Sequence, residues 1–198
     1  MTPLILASRS SVRQQLLTQC GVSFSVQIAP IDEEATRQAM AAENISPRNM
    51  ADALAELKAA RMAQKRRDAF VLGCDQILEF ERSAWGKAET PDALITQLYE
   101  MQGKPHRLHS GAVIFENGRP VWRHVTTAQL MMRPLSEAFI RSYVDRNWTT
   151  VQHCVGGYMI EAEGPRLFSR ITGDYFAIQG LPLLEILSYL SVRGILDQ

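Results

Sequence analysis

The chain lacks net charge: 21 Lys and Arg residues balance 21 Asp and Glu residues over 198 positions. No global field draws an anionic polymer to it, which excludes a general nucleic-acid binder. Any anionic ligand must be met by a local basic cluster. Long apolar runs are also missing. None approaches the roughly 18 residues of a membrane span, and the longest late run is broken by Glu185 and Ser188. The opening MTPLILASRS has no basic leader region and reads directly as a strand, so no secretory signal is expected. Cysteine is scarce. Cys20, Cys74 and Cys154 are widely spaced, form no CxxC or zinc-type pattern, and are expected as buried, reduced thiols of a cytoplasmic protein. There is no GxxxxGK[ST] phosphate loop, internal repeat or linker. An apolar fraction of 46% and a charged fraction of 21% describe one globular domain spanning 1–198.

What is present starts at residues 4–17, LILASRSSVRQQLL. An apolar run ends in hydroxyl residues and arginines, and an amphipathic pattern follows. This spacing predicts a strand, a short loop and a helix. A helix N-terminus carries unpaired N–H groups and a partial positive charge, so Ser8, Ser10 and Arg13 are candidate phosphate ligands. The competing reading of the serines is a plain N-cap.

Further along, 22–28 reads as a strand and 30–34 as an acidic loop. Ser46-Pro47 opens an Ala-rich helix to about residue 66. The run AFVLGC, 69–74, reads as a central strand, with Asp75 and Gln76 at its carboxyl end. Thr90-Pro91 opens another helix ending near Gly103. Asn117-Gly118 joins hairpin strands of about 107–116 and 120–132. Ser136 caps a helix to about 146. Strands are expected between Gly157 and Glu163 and over 166–171, and a terminal helix over 182–192. Strands alternating with helices ahead of an antiparallel hairpin predict an α/β fold with a mixed sheet.

Asp75 at a strand end suits a carboxylate held rigidly yet reachable, although Asp is also an ordinary turn residue. Glu33, beside Asp32 and Glu34, is either a solvated acid or a second oxygen ligand with Asp75 for Mg²⁺. Lys58 lies in the Ala-rich helix. Lys87 follows Gly86 in a loop and suits a point-charge phosphate binder. Glu161 lies near Gly156-Gly157 on an expected strand. His106 and His109 are expected to share a strand face, with no third ligand to complete a metal site.

These pieces stand in the order and spacing of one family. Over essentially its whole length the chain resembles the Maf-type nucleotide pyrophosphatases. The match runs through LILASRSSVRQQLL, Asp32-Glu33, Lys58 in ELKAARMA, GCDQ with Asp75, GK with Lys87, GKPH with His106, and GDYFAIQGLP. The resemblance implies an elongated mixed α/β sheet flanked by helices, two lobes about a central cleft, and commonly a homodimer. It implies cleavage of a nucleoside triphosphate to monophosphate and pyrophosphate with Mg²⁺ or Mn²⁺. Asp75 is then base or metal ligand, Glu33 its metal partner, and Ser8, Ser10, Arg13, Lys58 and Lys87 the phosphate grip. Gln14 stands where the family pattern carries a second arginine, and Val155-Gly156 where it carries Ala-Gly.

Within the family, base choice follows the positions of Val12, Gln76 and Glu161. Gln76 and Glu161 resemble the 7-methyl-GTP type, whereas Val12 matches neither known type. A carboxylate can accept both adjacent N–H donors of a guanine edge, and N7 methylation makes that base cationic. The alternatives are a dTTP/UTP pyrophosphatase and a non-catalytic nucleotide binder acting in septum formation.

Overall fold

Seven strands and seven α-helices are found among residues 2–28 and 30–197, which the computed structural model describes. In chain order they are β1 (Leu4–Leu6), α1 (Ser11–Gln19), β2 (Ser25–Val26), α2 (Glu33–Ala42), α3 (Pro47–Ala63), β3 (Phe70–Phe80), β4 (Ser83–Trp85) and α4 (Pro91–Met101). Then follow β5 (Pro105–Glu116), β6 (Arg119–Met132), α5 (Glu137–Val151), β7 (Phe168–Thr172), α6 (Tyr175–Ile178) and α7 (Leu183–Val192). The sheet order is β2-β1-β3-β5-β6-β7, with β4 paired to β3. Pairing is parallel from β2 to β3 and antiparallel beyond, the mixed α/β sheet expected. None of the described helices is long and apolar enough to cross a membrane.

The local signals act as read. Ser10, Ser46, Thr90 and Ser136 each accept the N–H three residues on, and Pro47 and Pro91 lie in the first turn. Asn117 and Gly118 both have positive φ, as a two-residue type I′ hairpin needs.

Four of the expected secondary-structure elements differ. β3 does not end at Cys74 but continues to Phe80. Apolar residues resume at Ile77, and β5 supplies partners throughout, with Asp75 opposite Gly111 and Gln76 opposite Ser110. The acidic loop at 30–34 is instead a helix start. Asp32 Oδ1 accepts from Ala35 N at 2.9 Å, and Glu33 and Glu34 occupy the first turn, where the helix dipole favours anions. No strand forms between Gly157 and Glu163. Both glycines, Gly156 and Gly157, take positive φ and 3-10 turns occupy Val155–Gly157 and Gly164–Leu167, so Glu161 lies in an exposed turn. The strand expected over 22–28 shrinks to Ser25–Val26 at the sheet's edge.

The long strands β3, β5 and β6 join two halves of the core. Leu4, Leu6, Leu17, Leu72 and Ile186 pack one half, and Leu78, Leu94, Leu98, Leu130 and Tyr143 the other. On the opposite face of the first half lies α3. Its fully buried Ala51, Ala55 and Ala59, four residues apart, form a smooth stripe. The sheet meets that stripe with glycine: a Cβ at Gly111 would stand 2.6 Å from Ala51 O, and one at Gly73 would strike Ala55 O. This close approach sets the height of α3 over β3.

The register also leaves a gap. β1 pairs with β3 only through Leu72, and β4 takes over at Leu78. Residues 73–77 of β3 therefore have a strand, β5, on one side only.

His106 and His109 do not share a strand face as expected but lie on opposite sides of β5, because three is an odd separation along a strand. His106 Nε2 lies 2.7 Å from Tyr158 Oη, and His109 Nε2 lies 2.7 Å from Glu79 Oε2. Burial pushes the His106 imidazole down from 6.5 to about 4. Its folded pKa lies below the unfolded one, so its stabilising effect is complete above pH 6.5 and is lost as pH falls from 6.5 to about 4. The expected loss is about 3 kcal/mol. Thermal melts should fall steeply over this window for the wild type and less for His106→Gln; parallel profiles would count against it.

Candidate active site

Asp75 lies midway along the gap in β3 and faces α3, where Lys58 meets it. Lys58 Nζ donates to Asp75 Oδ1 at 2.6 Å and lies 3.0 Å from Glu33 Oε2 at the start of α2. Lys58 and Asp75 are buried, whereas Glu33 is exposed. The Gly–Ala packing brings Lys58 within reach: it precedes Ala59, and Ala59 lies against Gly73 two residues before Asp75. Two carboxylates thus converge on one ammonium, joining the successive elements α2, α3 and β3. Asp75 Oδ2 has no protein partner among the described residues.

The β1–α1 junction fills the same gap. Ser10 is the N-cap, its Oγ accepting from Arg13 N at 3.4 Å. Ser8 Oγ accepts from Ser10 N and from Arg13 Nη1. Arg13 is buried, with Nε donating to Gly180 O at 2.7 Å and Nη1 to Cys74 O at 2.9 Å. The guanidinium is therefore a rigid strut between β3 and the segment after α6, with Nη2 free of protein partners among the described residues. Gln14 donates weakly to Ser8 O at 3.5 Å.

Gln76 points to the face opposite Asp75, as adjacent strand residues must. Its Nε2 donates to Ser110 Oγ at 3.0 Å and reaches Ala177 O and Ile178 O at 2.9 and 3.0 Å. Ser110 Oγ itself donates to Ala177 O at 2.6 Å. All three partners accept, which fixes the amide's orientation and leaves Oε1 as an acceptor without a protein partner among the described residues. Val12 is half-buried against the α1–α7 cluster.

Lys87 is exposed just beyond β4. Gly86 before it packs against the Arg37 guanidinium of α2, which would have to move aside for a Cβ there. Lys87 and Glu161 both act on the Cys154 thiol. Burial pushes that thiol up to about 11, Glu161 raises it and Lys87 lowers it. The structure therefore places Lys87 and Glu161 each in the neighbourhood of Cys154, and brings Glu33 and Lys58 to Asp75. Cys74 is also pushed up to about 11 by burial, an unreactive thiol. All three cysteines are free, but only Cys74 is buried as expected; Cys20 is exposed at the end of α1 and Cys154 is half-buried.

Ser110 and the carbonyls of Ala177, Ile178 and Gly180 were not legible as site components. A hydroxyl inside the apolar run of β5 was the available signal for Ser110, since a buried hydroxyl needs partners. Backbone carbonyls carry no sequence signal. Among the described residues no three His, Cys, Asp or Glu side chains converge as a metal cage.

Residues 3–192 match the family described as Maf-like protein. The chain is 49% identical over 195 residues to a nucleoside triphosphate pyrophosphatase of Ruegeria pomeroyi, covering 98% of each. It is 49% identical over 192 residues to the protein of that name from Roseobacter denitrificans, covering 97% of this chain and 96% of that one. The relative of that name from Caulobacter vibrioides is 42% identical over 196 residues, 99% of this chain and 98% of its own. A HAM1 protein structure from Coxiella burnetii superposes with a TM-score of 0.54 at 16% identity, over 97% of this chain and all of that one, a likeness of fold alone. With a family model spanning almost all of the chain and full-length relatives at this identity, the chain belongs to the Maf-like protein family.

Proposed function

We propose that this protein hydrolyses nucleoside triphosphates to monophosphate and pyrophosphate. The observation that carries the reading is the convergence of Lys58, Glu33 and Asp75 in the gap of the sheet, beside the N-terminus of α1. Relatives named for this activity support it over the full chain. In the reaction a water attacks the α-phosphorus, its proton passes to Asp75, and the bond to the β-phosphate oxygen breaks with pyrophosphate leaving. Asp75 is suited to the base because a β-strand holds it rigidly and its Oδ2 has no protein partner among the described residues. Arg13 through Nη2, Lys58 and Lys87 offset the phosphate charge, and Ser8 and Ser10 shape the loop around it.

The carboxylates of Glu33 and Asp75 fit a hard divalent cation, Mg²⁺ or Mn²⁺. Two carboxylates without a full protein cage match a cation that completes its shell with phosphate oxygens. When bound it supplies positive charge to the phosphates as negative charge builds on the leaving group.

For the base, the reading is a purine with adjacent N–H donors, such as 7-methyl-GTP. Gln76 Oε1 and the Glu161 carboxylate are both acceptors, and a cationic base adds attraction to Glu161. A panel of triphosphates with Mg²⁺ or Mn²⁺, read by pyrophosphate release, tests this. Glu161→Gln is expected to lower kcat/KM for 7-methyl-GTP by about 10- to 100-fold while sparing dTTP. Equal losses on all substrates would remove Glu161 from base choice, and a wild-type preference for dTTP or UTP would overturn the purine reading alone. Silence across the panel would favour the non-catalytic binder.

A cytoplasmic homodimer completes the proposal. The free thiols accord with a reducing compartment, and Leu184 and Val192 of α7 are exposed apolar side chains available to a second copy. Sedimentation equilibrium measures the dimer directly.

A further inference from the structure

We propose that the Lys58 ammonium and a divalent cation are alternative partners of the same two carboxylates, so that the nucleotide-free protein resists the bare cation and takes it up together with the triphosphate. This rests on the reading of Glu33 and Asp75 as metal ligands. Lys58 Nζ stands within 2.6 Å of Asp75 Oδ1 and 3.0 Å of Glu33 Oε2, so it already does for these oxygens what a cation would do. It is not a stray surface lysine. Its backbone is held on α3 by Ala55 and Ala59, both fully buried, and its side chain is largely buried.

The charges decide the direction of the effect. Two carboxylates and one ammonium sum to −1, whereas two carboxylates alone present −2 to an arriving cation. An ammonium a few ångströms from a divalent ion opposes it strongly where water is partly excluded. Lysine has a flexible four-carbon stem and can follow another anion. A triphosphate supplies that anion. Once its oxygens attract Lys58, Glu33 and Asp75 are released for the cation, which also gains phosphate ligands. Cation and nucleotide uptake are thereby coupled through one side chain.

The test is Mn²⁺ binding to nucleotide-free protein, read from the electron paramagnetic resonance signal of free Mn²⁺. Lys58→Met keeps the length and removes the charge, and it is expected to bind Mn²⁺ at least about 10-fold more tightly than wild type. Lys58→Arg keeps the charge and should stay near the wild-type affinity. For wild type, an α,β-methylene triphosphate should raise Mn²⁺ affinity. If Lys58→Met binds no more tightly than wild type while the analogue still promotes binding in wild type, exchange is overturned and the metal reading stands. Absence of Mn²⁺ binding in every protein, with and without the analogue, overturns both. Folding gives an independent readout, because loss of Lys58 leaves two like charges facing each other. Lys58→Met should melt lower than wild type in chelator and recover with Mn²⁺ by a larger shift than wild type shows. A melting temperature equally low in both conditions would also overturn the exchange.

Discussion

Asp75→Asn is expected to cut turnover at least about 100-fold while leaving the fold in place, the low end for removal of a general base. The amide has the shape of the carboxyl, and its oxygen can still accept from Lys58. The ammonium is not stranded, because Glu33 remains 3.0 Å away. What disappears is the proton acceptor at Oδ2 and one of the two charges available to a cation. Nucleotide affinity, carried mainly by Arg13, Lys58 and Lys87, should change far less than kcat. Single-turnover pyrophosphate release, with equilibrium binding of a non-hydrolysable triphosphate, separates the two effects. Near-wild-type turnover would remove Asp75 from the mechanism. A parallel loss of binding and melting temperature would make it a structural ion-pair partner instead.

Gly73→Ala is expected to destabilise the fold strongly through one added methyl group. The new Cβ would collide with Ala55 O and lie 2.7 Å from Ala59 N and 2.9 Å from Ala59 Cβ. Two of these atoms are helix backbone, and both alanines are fully buried, so no flexible side chain can turn aside. Either α3 lifts from the sheet or β3 bends. Overpacking of this kind costs about 1–3 kcal/mol, and a collision with backbone belongs at the upper end. Lifting α3 also draws Lys58 from Asp75, so activity should fall more than the unfolded fraction explains. Urea denaturation beside turnover at a temperature where the variant is folded measures both. A stability change below about 1 kcal/mol would mean that α3 has room to spare over β3.

The sequence by itself determined the elements whose causes are local. Ser10, Ser46, Thr90 and Ser136 start helices because each side chain caps a nearby N–H, and Asn117-Gly118 turns the hairpin because both residues tolerate positive φ. Resemblance to the family also marks Glu33, Lys58 and Asp75, which meet in the fold. The tertiary structure decided what depends on partners distant in the chain. β3 runs past Asp75 because β5 pairs with it across 70–79, and a strand's length is set by its neighbours as much as by its own apolar pattern. Glu161 lies in a turn because Gly156 and Gly157 take positive φ there, a choice glycine permits but does not dictate. Arg13 reads as a free phosphate ligand from its place in the first helical turn, yet Gly180 O and Cys74 O, 167 and 61 residues away, hold most of its guanidinium. The same holds for Gln76, whose orientation depends on carbonyls of α6. Backbone carbonyls are identical at every residue, so only the folded chain shows which of them a side chain will meet.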